Sequence, residues 1–575
     1  MNNPSTTKPC LVETRQGFSV FYQNKPLYSK YAPKDSILKV IDNLQILSNT
    51  LILCFSPVLG YGLQELLNKA PEDSFILALE KDKNLYDFSL NCTESLLPPI
   101  LENSHKVFYA NPETSLQIAK LVNNIKENPP FSHISFPKIA NFKRVLPLDF
   151  SGGAKIHTDF YQEVTSLLDD SISQFWKNRT TLIKLGRLYA GNFFKNLQDI
   201  RKTQFQNLFS LTEVKKLVAN KQILVLATGL SLDDFLPVLK SKLLNTNLRE
   251  HLFIIAVDAT LPVITKYDIK PDLVVGVEGQ FAIEKAYIGF KDSKLSFASD
   301  LLSRPSIKRI LKGKTSFFLS KYTSEAFFEA FSQLAQQLDI PRIEPLGSVG
   351  LVAVELAIQV RNSQQKIFCC GTDFSFFPGK THSKGAPVHS AILANNFKLS
   401  STEQFGSSFN SGNFYITGKS SYQNPENQEL TSKALYNYAL HFTNRYSKIQ
   451  NVFDLGKFGI ETNLPKCDYA DFFNLINETK TDQVFSTTSS INSQQEQVIL
   501  EKIISDFLSS QHNNLLEIKD ILTGKKDATN LEQLLQKCGY LYLHFPDGHT
   551  GPKLSSDFLK RIRAEVEFFL KITKL

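Results

Sequence analysis

The chain is poor in the features that would commit it to several large function classes. Its 7 cysteines among 575 residues (Cys10, Cys54, Cys92, Cys369, Cys370, Cys467 and Cys538) are odd in number and scattered. They include no C-x-x-C pair, and no histidine is spaced to complete a zinc site. Reduced thiols are therefore expected, as in a cytosolic protein. No charged segment leads into an apolar run at the N-terminus, so no signal peptide is expected. The longest apolar stretch, LILCFSPVLG, is about half of the ~20 residues that cross a bilayer, and the expectation is a soluble, cytoplasmic chain without a membrane span. The motifs G-x-x-x-x-G-K-[ST], H-E-x-x-H and G-x-S-x-G are missing, and so is a D-x-D pair at a strand end. Neither a P-loop enzyme nor a metal-dependent nucleotide-sugar enzyme has its usual signature, and no metal site is expected.

Charge is also thinly spread. The 64 Lys+Arg against 56 Asp+Glu leave a net +8 without basic blocks. Nucleic acid, which usually needs a concentrated basic face, is not an expected partner. The 42% hydrophobic and 11% aromatic fractions give a chain that can bury full cores, and the length leaves room for three or four units at roughly 100–200 residues each.

Within that frame the apolar pattern alternates. Paired short strands in GFSVFYQNKPLYSKY precede a βα series of strands at Leu51–Ser56, Ser74–Glu80 and Lys106–Tyr109. A Pro-rich segment, KENPPFSHISFPKI, follows, and Asp159–Leu217 reads as two or three helices interrupted near Asn178 and Asn192. The alternation restarts more strongly with QILVLATG, HLFIIAVD, DLVVGVEG, TSFFLS and KIFCCGTD, and fades near Glu461. A Ser/Thr/Gln-rich linker spans 477–495, and the rest has the i, i+3, i+4 spacing of amphipathic helices. The expected fold is α/β, with two Rossmann-like doubly wound sheets, a helical insertion and a helical C-terminal region. The expected domains are residues 1–150, a connector 151–220, a central domain 221–465 and a helical domain 480–575.

Candidate site residues sit where those strands end. In the first sheet Gly60-Tyr61-Gly62 opens a helix and Glu80 ends the next strand, the layout of a nucleotide fingerprint. Glu65 occupies the place of the third glycine, which leaves a purely structural turn as the alternative. In the second sheet Thr228-Gly229-Leu230-Ser231 lets backbone N–H groups and a helix dipole face an anionic ligand, although Ser231 would also serve as a plain cap. Asp258 and Glu278 end the next two strands at the same edge. Gly347-Ser348 again puts a small polar turn before a helix. Gly371 and Asp373 lead into a loop with Lys380, His382 and His389, material for a general base or for a solvated loop.

On these residues the chain resembles the motility accessory factor family, bacterial proteins proposed to transfer nonulosonic acids (pseudaminic or legionaminic acid) onto flagellin Ser/Thr. The resemblance is carried by GFSVFYQNKPLYSKYAPKDSI, by VLGYGLQELL and by the block from about 222 to 390. That block is similar to the domain of archaeal 6-hydroxymethylpterin diphosphokinases and to bacterial sialyltransferases that use CMP-sialic acid. ATGLSL stands for the sialyltransferase G-N-G-P-S-L turn, with Thr228 and Leu230 departing from it, and DFSFFPGKTHS places His382 at the family histidine. The resemblance implies an inverting, metal-independent glycosyltransferase with a CMP-nonulosonic acid donor, no cofactor, and flagellin as acceptor partner. His382 would be the base with His389 second, and Asp373 would orient that base or its loop. Thr228, Gly229, Ser231, Asp258, Glu278, Gly347, Ser348 and Gly371 would hold the nucleotide, and Lys380 would offset leaving-group charge. A pterin-type pyrophosphokinase using ATP and Mg²⁺ on Asp258 and Glu278 is the alternative enzyme. A non-catalytic nucleotide-sugar or flagellin-binding protein is the other.

Overall fold

The structure, a computed structural model, describes residues 8–113, 115, 139–203, 208, 210–245, 247–322, 326–377, 380–399, 415–417, 429–479 and 493–574. Most of the Pro-rich segment and of the 477–495 linker, and Gly379 of the histidine loop, lie outside these. The chain forms two compact units, Met1–Thr181 and Leu182–Leu575.

In the first unit β1 (Cys10–Thr14), β2 (Gly17–Tyr22) and β3 (Lys25–Pro26) form an antiparallel meander. Four parallel strands follow: β4 (Thr50–Phe55), β5 (Phe75–Leu79), β6 (Val107–Ala110) and β7 (Arg144–Asp149), in the order β6-β5-β4-β7. β4 and β5 are buried along their whole length, which is why they read as unbroken apolar runs. The helices α1 (Asp35–Asn43), α2 (Leu63–Lys69), α3 (Lys83–Asn91) and α4 (Leu97–Asn103) cover the sheet.

The helical insertion holds two helices, as expected, but without the interruptions expected near Asn178 and Asn192, because Thr158–Lys202 is one continuous helix, α5, of 45 residues. Asn192 does not break it, because tertiary bonds offset its weak helix propensity. Its buried amide donates to the carbonyls of Gly279 (3.2 Å) and Leu302 (3.1 Å), and Asn196 one turn on donates to Leu301 (2.8 Å) and Ser303 (3.0 Å).

In the second unit α6 (Leu211–Val218) leads into β8 (Gln222–Leu226), α7 (Leu232–Asn245), β9 (Leu252–Val257), β10 (Leu273–Gly276), β11 (Phe297–Asp300) and β12 (Thr315–Ser320). The chain continues through α8 (Ala326–Gln337), β13 (Arg342–Ile343), α9 (Val349–Val360), β14 (Ile367–Cys370), α10 (Pro387–Ala394), α11 (Lys433–Tyr446) and β17 (Val452–Asp454), the short pair β15 (Tyr415–Thr417) and β16 (Leu430–Ser432) standing apart. The eight parallel strands run β13-β12-β11-β10-β9-β8-β14-β17. From β8 the chain winds one way through β13, then returns to lay β14 on the other side of β8. The switch point of this doubly wound sheet therefore lies between β8 and β14. One apolar core packs on each face of the sheet. A third surrounds Phe193, Phe194 and Phe331 together with the C-terminal helices α12 (Ser493–Leu522), α13 (Leu531–Lys537) and α14 (Ser556–Thr573). The helical C-terminal region is thus as expected. The helices expected after β9 and β10 are only a four-residue turn at Leu261–Ile264 and a 3₁₀ segment at Phe281–Tyr287.

The glycine turn of the first sheet is spent on the protein's own packing. A Cβ on Gly60 would stand 2.9 Å from the Leu97 amide nitrogen, and one on Gly62 would stand 2.7 Å from Ile41 Cδ1. Glu80 is fully buried, with Oε2 accepting from Ser56 Oγ (2.6 Å) and Oε1 accepting from the Asp82 N–H (3.0 Å) and the Tyr161 hydroxyl (3.3 Å). The acid is therefore not free to take a ribose hydroxyl. Burial pushes its pKa up to about 7. An unfolded Glu ionises near 4.3, so between about pH 4 and pH 7 the folded state holds a proton that the unfolded chain releases. Stability falls as pH rises through that window. The variant Glu80→Gln should match the parent near pH 4 and exceed it at pH 8 by about 3–4 kcal/mol. Urea unfolding followed by the fluorescence of Trp176, the one tryptophan of the chain, reads this out. An equal difference at both pH values would refute it.

Candidate functional site

A cavity of about 700 Å³ opens at the C-terminal ends of β8 and β14, at the switch point. Its floor is Ala227, Thr228 and Gly229 from β8 with Gly371 and Thr372 from β14. Ser348, Val349 and Gly350 at the start of α9 form one wall, and Ser432–Leu435 at the start of α11, with Asn437, extend it. Phe374, Ser375 and Phe376 form another, and Thr381, His382 and Val388 of the histidine loop line the rest, next to the floor turn that the loop joins through the Ser383 N–H on the Thr228 carbonyl (2.9 Å).

The floor is held by a buried carboxylate. Asp373 is 3% exposed, and its Oδ2 accepts from the Ser231 N–H at 2.8 Å while its Oδ1 accepts from the Ser231 hydroxyl at 2.6 Å. Ser231 Oγ in turn accepts from the N–H groups of Lys457 (3.1 Å) and Phe458 (3.2 Å). Three loops, after β8, β14 and β17, therefore meet at one pair of side chains. Only a residue without a side chain fits against it: a Cβ on Gly229 would lie 2.3 Å from Asp373 Oδ2. Burial pushes the Asp373 carboxyl up to about 7, with the Ser231 bonds pulling the other way.

Of the residues singled out from the sequence, Thr228, Gly229, Ser348, Gly371 and His382 line the cavity, whereas Ser231 and Asp373 lie buried beneath it. Gly347 sits behind the wall at φ +78°, with the Tyr438 ring where a Cβ would be. Asp258, Glu278, Lys380 and His389 are outside the lining. Asp258 ends β9 with Oδ1 on the Ala259 N–H (2.7 Å), and burial pushes its carboxyl up to about 7. Glu278 accepts from the Gln280 N–H (2.8 Å). Lys380 is ion-paired with Asp233 at 2.7 Å. Asp373 bonds Ser231 and fixes the loop, and the partner of His382 Nδ1 is Thr381 Oγ1 at 3.0 Å. Burial, and then the nearby His389, lower the His382 pKa from its usual value, so its ring is neutral at pH 7.

Sequence reading found Ser348 but missed the walls at 374–376 and 432–437. Ser432 caps α11 through the Leu435 N–H (3.2 Å), a Ser before an amphipathic run that could have been found. Asp300, which ends β11 and is buried beside Glu278's strand, was missed because FASD is too short and mixed to read as a strand. Among the described residues no group of three His, Cys, Asp or Glu side chains is placed to hold a metal ion. Among them also no helix is long and apolar enough to cross a membrane.

Over its whole length the chain is similar to a protein of Treponema pallidum (strain Nichols) described as uncharacterized. The two are 30% identical over 578 residues, covering 98% of this chain and 95% of that one. The chain belongs to the same family as that protein. Residues 191–378 also match the family described as 6-hydroxymethylpterin diphosphokinase MptE-like, a span that holds β8 to β14 and stops short of His382. A solved MAf glycosyltransferase from Magnetospirillum magneticum AMB-1 is similar at 14% identity and a TM-score of 0.49, over 100% of this chain and 92% of that one.

The Ser231–Asp373 pair gives the site a measurable stake in stability. Ser231→Ala removes the hydroxyl bond to the buried Asp373 carboxylate, keeps the backbone one, and leaves the Lys457 and Phe458 N–H groups without their acceptor. It should cost about 1–3 kcal/mol of unfolding free energy, seen as a lower urea midpoint for the second unit. An unchanged midpoint would show that the knot holds nothing.

Proposed function

We propose that the cavity binds a CMP-activated nonulosonic acid and that the chain transfers the sugar, with inversion and without a metal, to a Ser/Thr hydroxyl of flagellin. The observation that carries this reading is the composition of the lining. Hydroxyls, two helix N-termini, one lysine and a neutral imidazole surround a space of about 700 Å³ that no carboxylate among the described residues lines. Such a surface suits a ligand that brings its own negative charge and needs no divalent cation to be held. The family resemblance supplies the identity of nucleotide and sugar.

In this mechanism the acceptor oxygen attacks the anomeric carbon as the bond from that carbon to the phosphate oxygen breaks. The acceptor proton passes to His382, and CMP leaves with the bonding electron pair. Its charge is met by the N–H groups at the start of α9 and by the floor turn. The oxocarbenium-like transition state asks for little covalent help, so positioning and charge dominate. A pyrophosphokinase would need Asp258 and Glu278 to present Mg²⁺, and both are turned to neighbouring backbone N–H groups outside the lining.

Calorimetry should show CMP binding without added metal and more tightly than AMP or ATP. If ATP with Mg²⁺ binds and CMP does not, the pyrophosphokinase reading replaces this one. His382→Ala should leave CMP binding nearly intact and slow transfer by roughly 100-fold or more. Because the His382 pKa is lowered, the base stays neutral through pH 7, and the rate should fall only below the usual imidazole range near 6.5. Wild-type transfer by the alanine variant, with loss in His389→Ala, would move the base to His389.

A further inference from the structure

Among the described residues of the lining, the wall contributed by residues 432–437 carries the only formal charge. Lys433 lines the cavity in the first turn of α11, with Asn437 one turn further on, whereas Lys380 is occupied by Asp233. The opposite behaviour belongs to the Phe374–Phe376 wall. There the Ser375 hydroxyl donates to Oε1 of Glu429, which is 4% exposed. Ser375 is thereby left with only lone pairs to offer, and a carboxylate stands behind it. That wall suits the hydroxyl groups of a neutral polyol and repels an anion. The N-terminus of α9, with Ser348–Gly350 on the lining, already provides for one anionic group. Lys433 adds a full positive charge at a different side-chain position, more than a single phosphodiester needs.

We propose that Lys433, assisted by the Asn437 amide, holds the carboxylate of an acidic sugar, and so selects donors that carry a second anionic group beside the nucleotide phosphate. This rests on the donor reading given above, but it concerns a separate group of the ligand. Lys433 is then a specificity residue, and the ammonium and amide together offer N–H donors to the two carboxylate oxygens.

The test is calorimetry with CMP and with CMP-N-acetylneuraminate on the full chain, its Lys433→Gln variant and its Lys433→Arg variant. The parent should bind the acidic sugar nucleotide more tightly than CMP. Lys433→Gln should lose about 10- to 100-fold for the sugar nucleotide, the size of a hydrogen bond to a charged group, while CMP binding stays within about twofold, and Lys433→Arg should recover much of the loss. Equal losses for CMP and the sugar nucleotide would put Lys433 on the phosphate and overturn the proposal, as would no loss for either. If the parent binds neither compound, the CMP reading itself has failed. The lysine is then judged with UDP-glucuronate against UDP-glucose: a Lys433-dependent preference for the glucuronate keeps the proposal, and its absence ends it.

Discussion

The cavity depends on one buried carboxylate. Asp373 follows β14 into the sheet's C-terminal edge, where desolvation works against its charge, and it is retained there by two hydrogen bonds from a single residue, Ser231. Because Ser231 belongs to the turn after β8 and also accepts from Lys457 and Phe458 after β17, the carboxylate sets the spacing of three neighbouring loops. The surrounding backbone is adapted to it. A Cβ on Gly459, at φ +111°, would fall 2.3 Å from the Asp373 carbonyl oxygen, and one on Gly456 would fall 3.1 Å from Oδ1. A larger residue at Gly459 would displace the Asp373 backbone, and one at Gly456 would press on Asp454 and Asp373. The pair therefore acts on a ligand only through the shape and position of the turn at Thr228–Gly229.

Charge is distributed along the same sheet edge by topology. Strands β9, β10 and β11 run away from the switch point and end in Asp258, Glu278 and Asp300, while β8 and β14 end in small, uncharged residues facing the cavity. An acidic row beside an anion site would normally oppose binding. Here burial pushes Asp258 up to about 7 and Asp300 up to about 6, so near neutral pH Asp258 carries only part of its charge while Asp300 is mostly ionised. The row is a protonatable border whose field at the cavity weakens as pH falls. Asn192 and Asn196, clasping the carbonyls beyond β10 and β11, keep this border fixed.

The βα alternation made both parallel sheets legible, because strands buried on both faces are unbroken apolar runs such as LILCF and FIIAV. Turn chemistry made Gly229, Ser348 and Gly371 legible as floor and wall, since small residues at strand ends and helix starts have few other uses. The failures have equally local causes. Asn192 looked like a helix breaker because its partners are carbonyls about a hundred residues away in sequence. Lys380 looked like a free cation because its ion pair with Asp233 joins two loops that only the fold brings together. Asp373 was expected to orient His382 or its loop; its bonds run to Ser231, 142 positions distant, a partner that only the fold brings near. Lys433 drew no attention because the segment before it carries no motif, and its place on the wall follows from Tyr438 packing against Gly347.

Both sheets carry the same local design, a glycine turn after the first strand and an acid at the end of the second, and only one encloses a large cavity among the described residues. The difference lies in what covers the turn. In the first unit Gly60 and Gly62 admit Leu97 and Ile41 at contact distance, and Glu80 is closed in by Ser56, Tyr161 and the Asp82 N–H. In the second, Gly229 admits Asp373 and the Gly371 carbonyl at close range and still lines the cavity. A glycine turn at a strand end thus records a close approach without saying by what. Where protein atoms make that approach the turn is a packing device, and where a buried acid props it open from beneath it becomes the floor of a binding site.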